Sequence, residues 1–437
     1  MLERAKQFFQ RAIIIKPDDV RAYINIGNVL GDLGEFNMAI RYLKKAGSLA
    51  PKNKQVYYNL GVTFYDQGSL REAESAYKKV LLIDPYCSEA NNNLANVHRD
   101  LGHFEEAVEA YETAINVNPD YADAYYNLGL LHWRKMNFKL AFDLMEWRWS
   151  GGDQFAESKF ESENPRWKGE EGVDVFVWKE QGIGDEIMFG SMISELNEKS
   201  GDLIVECDRR LIPLYERSFP ANIMFVDNRT QLSLDDYDSH IAIGSLAKHF
   251  RHDLKDFKNV ASGWLKADPK RVNYLRRLLS NDEPDKIVGI SWFTKSTAKG
   301  SEKRNVPLNI LAEYLKKIPG KLVSLQYGDA ADDLKKLNED HGVEIIKLEG
   351  LDLNNDIDGL AALISACDVV ISIDNLTVHL AGALGVDTRV LLPVLPDVRW
   401  GTNESESYWY DYLTLYRQDK PGEWGAQLER LLGDICG

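Results

Sequence analysis

"VDVFVWKEQGIGDEIMFG", residues 173 to 190, decides the fold of the larger part of this chain. Its start is a short apolar run rich in valine and aromatics, which reads as a buried strand. Gly182 and Gly184 then allow a tight turn, and the apolar stretch after Asp185 and Glu186 reads as a helix. Strand, glycine turn and helix open a Rossmann-type unit. The dinucleotide form of that turn needs a third glycine, and Ile187 stands there instead. Asp185 and Glu186 open the helix, so a carboxylate occupies the place that a phosphate would seek. The turn is a poor phosphate cradle. An isolated Asp at such a place caps its helix, whereas one facing a cleft can act as a general base. Both roles stay open for Asp185.

The pattern continues outward from this stretch. "DVFVW", "DLIVEC", "NIMFVD" and "HIAIG" read as strands, with helices near 185–199, 209–218 and 245–251. After a break at "ASGWLKADPKR", a second series follows: "KIVGISW", "KLVSLQ", "VEIIKL", "DVVISID" and "TRVLLP". Its helices are expected near 307–317, 329–341, 358–367 and 377–385. Continuous apolar strands alternating with helices predict parallel sheets covered on both faces. We expect two Rossmann-like domains, 173–267 and 268–437, with a last helix near 422–434 crossing back to brace the first. Ligands in such folds sit beyond the carboxyl ends of the strands.

A phosphate site fits the second series better, at "VVISIDNLTVHLAGALGV" (369–386). The N–H groups opening that helix, with the Thr377 hydroxyl, suit a diphosphate. Asp374 is expected to order the turn. His379 lies on the first helical turn, within reach of a phosphate. Arg304 and Lys295, from "WFTKSTAKGSEKRNVPL" (292–308), are the candidate cations; Lys299 and Lys303 read as solvated.

The first third is a repeat. Pro17, Pro51, Pro85 and Pro119 recur every 34 residues, in phase with Gly27, Gly61, Ala95 and Gly129 and with Ala39, Ala73, Ala107 and Ala141. Gly34, Gly68 and Gly102 mark the turn inside each unit. These are tetratricopeptide repeats: a partial unit over 1–19, then units starting near 20, 54, 88 and 122, together filling 1–150. The partial unit looks like the second helix of a preceding repeat, so an upstream extension is expected. Such arrays form a superhelix with a concave groove. Asn25, Asn59, Asn93 and Asn127 lie on the first helix of each unit, either as a ladder for an extended peptide or as bonds between repeats. Met136 replaces the turn glycine in the last unit, where Trp133, Trp147 and Trp149 crowd together as packing residues. A polar linker, 151–172, follows.

Composition narrows the partners. A net charge of −16 repels phosphate backbones, which argues against a nucleic-acid binder. No apolar run approaches the roughly 18 residues of a spanning helix, and the start lacks a signal-peptide pattern. The four cysteines show neither a CxxC pair nor a metal spacing. A cytoplasmic protein without a metal site is expected.

"EQGIGDEIMFG", "KRNVPL", "LVSLQYGD" and "SIDNLTVHLAGALGV" together resemble the motifs of bacterial tetratricopeptide-repeat proteins carrying a glycosyltransferase family nine domain. That family includes the lipopolysaccharide heptosyltransferases. "MEWRW", "PRWKG" and "LLPVLPDVRW" are similar to parts of the repeat-containing branch. The resemblance covers nearly the whole chain in collinear order. It implies a GT-B module and metal-independent, inverting transfer from a nucleotide-diphosphate sugar, with no further cofactor. By the family pattern, Asp185 matches the acceptor-side acid on a loop with Gly182, Gly184 and Glu186. Arg304 matches the basic residue near phosphate, and Asp374, Thr377 and His379 match the donor loop, with Asn375 and Gln326 on the donor side. Asp332 or Asp333 falls near the ribose-binding acid. The family's Asp-Thr-Gly is here Asp374-Asn375-Leu376, which alters the phosphate contacts.

The functions that follow are a glycosyltransferase whose repeats recruit a protein or glycan-bearing acceptor, a non-catalytic repeat scaffold with a degenerate GT-B domain, and a heptosyltransferase-like enzyme of the lipopolysaccharide core. Pairing of chains through the repeats into a homodimer is compatible with each.

Overall fold

A computed structural model describes residues 1–151, 159–258, 263–280, 286–294, 300–402 and 404–436. It divides into two compact units, Met1–His132 with Asp143–Ala156, and Trp133–Phe142 with Glu157–Gly437.

The first unit is built from helical hairpins: α1 (Leu2–Ile15), α2 (Val20–Asp32), α3 (Phe36–Leu49), α4 (Lys54–Gln67), α5 (Leu70–Ile83), α6 (Ser88–Asp100) and α7 (Phe104–Val117), followed by most of α8 (Ala122–Arg134), whereas most of α9 (Phe138–Met145) belongs to the second. Side-chain caps start the first helices of two repeats, Asp19 accepting from Arg21 N at 3.1 Å and Asn53 from Gln55 N at 3.1 Å. The turns rest on a left-handed residue, at φ of 76°, 83° and 79° for Gly34, Gly68 and Gly102. Met136 holds the same conformation at φ 58° without glycine's freedom. Within each hairpin a small residue faces a large one. A Cβ on Gly27 would stand 2.6 Å from Leu43 Cγ, and one on Gly61 2.5 Å from the Tyr77 ring. That contact explains the in-phase glycines: only hydrogen lets the two helices close on the larger side chain.

The second unit opens with β1 (Val175–Trp178), α10 (Ile183–Gly190), α11 (Ile193–Asn197), β2 (Leu203–Glu206), α12 (Ile212–Ser218), β3 (Ile223–Val226), β4 (Ser239–Ala242), α13 (Ala247–Phe250) and α14 (Leu254–Phe257). Its four strands form a parallel sheet in the order β3-β2-β1-β4. A second series comprises α15 (Pro269–Ser280), β5 (Ile287–Ser291), α16 (Leu308–Leu315), β6 (Lys321–Ser324), α17 (Ala331–Glu339), α18 (Ile357–Ala366), β7 (Val369–Ile373), α19 (Leu376–Ala383), β8 (Thr388–Leu392), β9 (Leu413–Arg417) and α20 (Gly425–Cys436). Its sheet is also parallel, in the order β6-β5-β7-β8-β9. Nearly every strand residue is buried, as the apolar runs require.

Four expectations need correction. "VEIIKL" forms only a single bridge, Ile346 to Val323, and the fifth strand is instead β9. Helix α15 begins only at Pro269, the end of the region read as a break, and runs to Ser280 where no helix was expected. The last helix does not cross back: Trp424, Leu428 and Leu431 pack with Leu311 and Leu315 of α16 in the core of the second sheet. The boundary at 150 also moves, because Trp133–Phe142 belongs to the second unit. There Trp133 Nε1 donates to Tyr408 OH at 2.9 Å, Arg134 donates to Pro396 O at 2.6 Å, and Phe138 packs on Phe257 at 4.6 Å. Trp147 keeps its packing role in the first unit, stacked on Tyr125 at 4.0 Å. Most of the first half of the expected linker lies outside the described residues; its end pairs with β4 where Trp167 N donates to His240 O at 2.9 Å.

Candidate functional site

Each sheet has one switch point, where successive crossovers leave in opposite directions, and that is where open α/β sheets hold their ligands. In the first sheet it lies between β1 and β4, in the second between β5 and β7. The turn from β1 into the first residues of α10 carries Gly182 to Asp185, and the turn from β7 into α19 carries Asp374 and Asn375. The two meet through a charged cluster.

Asp185 does two things in that cluster. Its Oδ2 accepts from Gly182 N at 3.2 Å, capping α10, and its Oδ1 accepts from Arg399 Nη1 at 2.7 Å. Arg399 is anchored from the other side, its Nε donating to Asp397 Oδ1 at 2.8 Å. The same Nη1 lies 3.4 Å from His379 Nε2. A guanidinium only donates, so Nε2 is the acceptor and the imidazole carries its proton on Nδ1, which faces Tyr410 OH at 3.0 Å. Burial, reinforced by Arg399, pushes the His379 pKa well below its ordinary 6.5, so the ring is neutral at pH 7. Gly184 is required by this ring, since a Cβ there would stand 2.9 Å from His379 Cδ2.

Asp374 is nearly fully buried beneath the cluster. Arg304 Nη1 donates to its backbone carbonyl at 3.1 Å and approaches its carboxylate at 3.5 Å. Burial raises the Asp374 pKa and Asp397 adds to the rise, while Arg399 and Arg304 oppose it. The Asp397 carboxyl is held well below the usual range: its own burial works against this, but Arg399 prevails.

Several residues read as ligand contacts are committed to the fold. His379, expected to donate to a phosphate, has both ring nitrogens engaged. The Thr377 hydroxyl is buried and donates to Ser291 Oγ at 3.4 Å. Asn375 caps α19, its Oδ1 accepting from Thr377 N at 2.9 Å and its Nδ2 donating to Ser291 Oγ at 2.9 Å. Gln326 Oε1 accepts from Trp292 N at 2.9 Å and Phe293 N at 3.0 Å, bracing the loop after β5. Glu186 turns inward, accepting from Asp208 N at 2.7 Å, and burial pushes its pKa up to about 7. Asp333 accepts from Trp292 Nε1 at 3.1 Å, and Asp332 is exposed. Lys303 is exposed, in line with a solvated role, and Lys295 and Lys299 lie outside the described residues. Among the described residues no group of three His, Cys, Asp or Glu side chains is placed to hold a metal ion.

Beyond the carboxyl end of β6 lies a cavity of about 230 Å³ lined by Ser324, Gln326, Lys347, Leu351, Asp352 and Asn354, among others. In the repeats, the asparagine ladder joins neighbouring units. Asn59 Nδ2 donates to Asn28 Oδ1 at 2.7 Å, Asn93 Nδ2 to Tyr58 OH at 3.1 Å, and Asn127 Nδ2 to Asn92 Oδ1 at 3.1 Å, while Asn25 is exposed. Arg399, Asp397 and Tyr410 carried no assigned role in the sequence reading. "DVRW" after a strand was the only local signal for Asp397 and Arg399, and Tyr410 lies outside it; the Asp185 and His379 that Arg399 and Tyr410 meet are remote in the chain.

The fold and site therefore define a tetratricopeptide-repeat array and a unit of two parallel α/β sheets whose switch-point loops converge. Residues 27–68 and 95–135 match the TPR repeat family, and residues 55–87 match the tetratricopeptide repeat family. The chain is 30% identical over 292 residues to Protein FlbA of Caulobacter vibrioides, a match covering 62% of this chain and 48% of that protein. It thus spans about half the length of that relative. Among solved structures, MamA is similar at 25% identity with a TM-score of 0.31, covering 33% of this chain and 85% of that one. YrrB, described as a TPR protein with an unusual peptide-binding site, is similar at 23% identity with a TM-score of 0.29, covering 33% of this chain and 75% of that one. No helix among the described residues is long and apolar enough to cross a membrane.

Proposed function

We propose that this chain is an inverting, metal-independent glycosyltransferase. It moves a sugar from a nucleotide-diphosphate donor to an acceptor hydroxyl, and its repeats recruit a protein or glycan-bearing acceptor. The observation that supports this reading is the convergence of the two switch-point loops on Asp185, Arg399 and Arg304. A donor seated beyond the second sheet would lay its nucleoside towards the 230 Å³ cavity and its diphosphate towards Arg304 and the opening N–H groups of α19. Asp185 takes the proton of the acceptor hydroxyl as that oxygen bonds to the anomeric carbon. The bond from that carbon to the diphosphate oxygen breaks on the opposite face, inverting the centre. The departing charge is met by Arg304 and backbone donors.

A second reading is a repeat scaffold whose α/β unit no longer turns over. It draws support from Asn375 and Thr377, whose polar atoms are spent on the fold. Calorimetric titration with nucleoside diphosphates and their sugar conjugates separates the two. Selective binding of one nucleotide, lost in Arg304→Ala, is expected for the transferase. Asp185→Asn should retain that binding while transfer falls by roughly 10²- to 10⁴-fold. No binding by a folded sample favours the scaffold.

A further inference from the structure

Arg399 lies between two claims on its charge. Its Nε is tied to Asp397, its Nη1 to Asp185 at 2.7 Å, and its Nη2 holds no hydrogen bond to a described residue. The Asp185 and Arg399 side chains are 17% and 15% exposed, so an incoming ligand can reach the pair. Around them stand two further carboxylates, Asp374 and Asp397, and the guanidiniums of Arg304, beside Asp374, and Arg134, which acts on Asp397. A diphosphate entering that group brings further negative charge and needs a cation turned towards it. Arg304, which meets the diphosphate in the reading above, is anchored on the Asp374 carbonyl. Arg399 is the cation whose partner, Asp185, is also the base.

Resting on the transferase reading above, we propose that Arg399 is a positioning residue shared between Asp185 and the donor's diphosphate. With no anion present it clamps Asp185 and neutralises it. An arriving diphosphate draws the guanidinium, pivoting on Asp397, and leaves Asp185 free to accept the acceptor's proton. The base is thus unmasked only when a leaving group is in place, which protects against proton removal without a donor.

Competition for one cation has a signature that a merely structural ion pair lacks. Asp185→Asn removes the competitor, so the variant should bind the nucleoside diphosphate more tightly than the parent, by about tenfold. The gain should vanish when Asp185→Asn is placed on Arg399→Met, and Arg399→Lys should keep part of it. The measurement is calorimetric titration of the full chain with UDP, GDP, ADP, CDP and TDP, continued for all variants with whichever the parent binds. If Arg399→Met does not fold, because it leaves Asp397 buried and unpaired, the Asp185→Asn and Arg399→Lys arms decide alone. Unchanged or weaker binding by Asp185→Asn overturns the shared-cation proposal and leaves the transferase reading standing. Tightening that persists on Arg399→Met overturns it too. A parent that binds none of the five overturns both.

Discussion

The repeat unit and the α/β unit are stabilised by opposite strategies. In the repeats, one apolar contact recurs: a glycine or alanine of the first helix receives a large side chain of the second, as Gly27 receives Leu43 and Gly61 receives Tyr77. Polar side chains join neighbours, Asn59 to Asn28 and Asn127 to Asn92, across one period of the chain. In the α/β unit the strands carry an apolar core, but a charged cluster joins residues more than 200 positions apart, Asp185 and Arg399. Repetition makes local contacts predictable. A cluster assembled from loops of two sheets has no period to reveal it.

The largest effect on stability should come from breaking the recurring contact. Leu43 is fully buried, and Leu43→Ala should destabilise the repeat unit by about 2–5 kcal/mol, read from its chemical denaturation midpoint. Phe9 holds the same repeat position in α1 but is only half-buried. Phe9→Ala should cost less despite removing more atoms, on the order of 1 kcal/mol. Equal losses at the two sites would break the idea that coverage by neighbouring helices, not residue type, sets the energy.

A comparable test in the α/β unit uses Glu186. Burial raises its folded pKa from the ordinary 4.5 to about 7, so between these values the folded state binds more protons than the unfolded one. Its contribution is fully present below about pH 4.5 and is lost as pH rises through 7. Glu186→Gln, whose amide oxygen can still accept from Asp208 N, should match the parent near pH 4.5. At pH 8 it should exceed the parent by about 3 kcal/mol. A parallel pH dependence in both proteins would mean that Glu186 is solvated.

The smallest effect is expected at the ladder. Asn59→Ala removes the bonds to Asn28 and Gln55 and should cost about 1 kcal/mol, again from denaturation. If the variant is as stable as the parent, inter-repeat bonding does not explain the ladder, and a ligand role regains ground.

The sequence by itself determined the repeat unit almost residue by residue, because a 34-residue period repeats the same local physics in each unit. It also determined two parallel α/β series, since doubly covered strands must be apolar throughout. Its errors fell where a short apolar run is ambiguous: "VEIIKL" was read as a strand, and "LTLYR" was not. The candidate site was half legible. Asp185, Arg304, Asp374 and His379 were named from local turns and helix openings, and the structure brings all four into one cluster. Their roles were decided only by tertiary packing. His379 became a neutral, doubly engaged ring because Tyr410 and Arg399 arrive from later in the chain, and Thr377 and Asn375 turned inward because Ser291 waits at the end of β5. A side chain's chemistry is written at its own position, but its hydrogen-bond partners and its burial belong to residues that only the folded chain brings near.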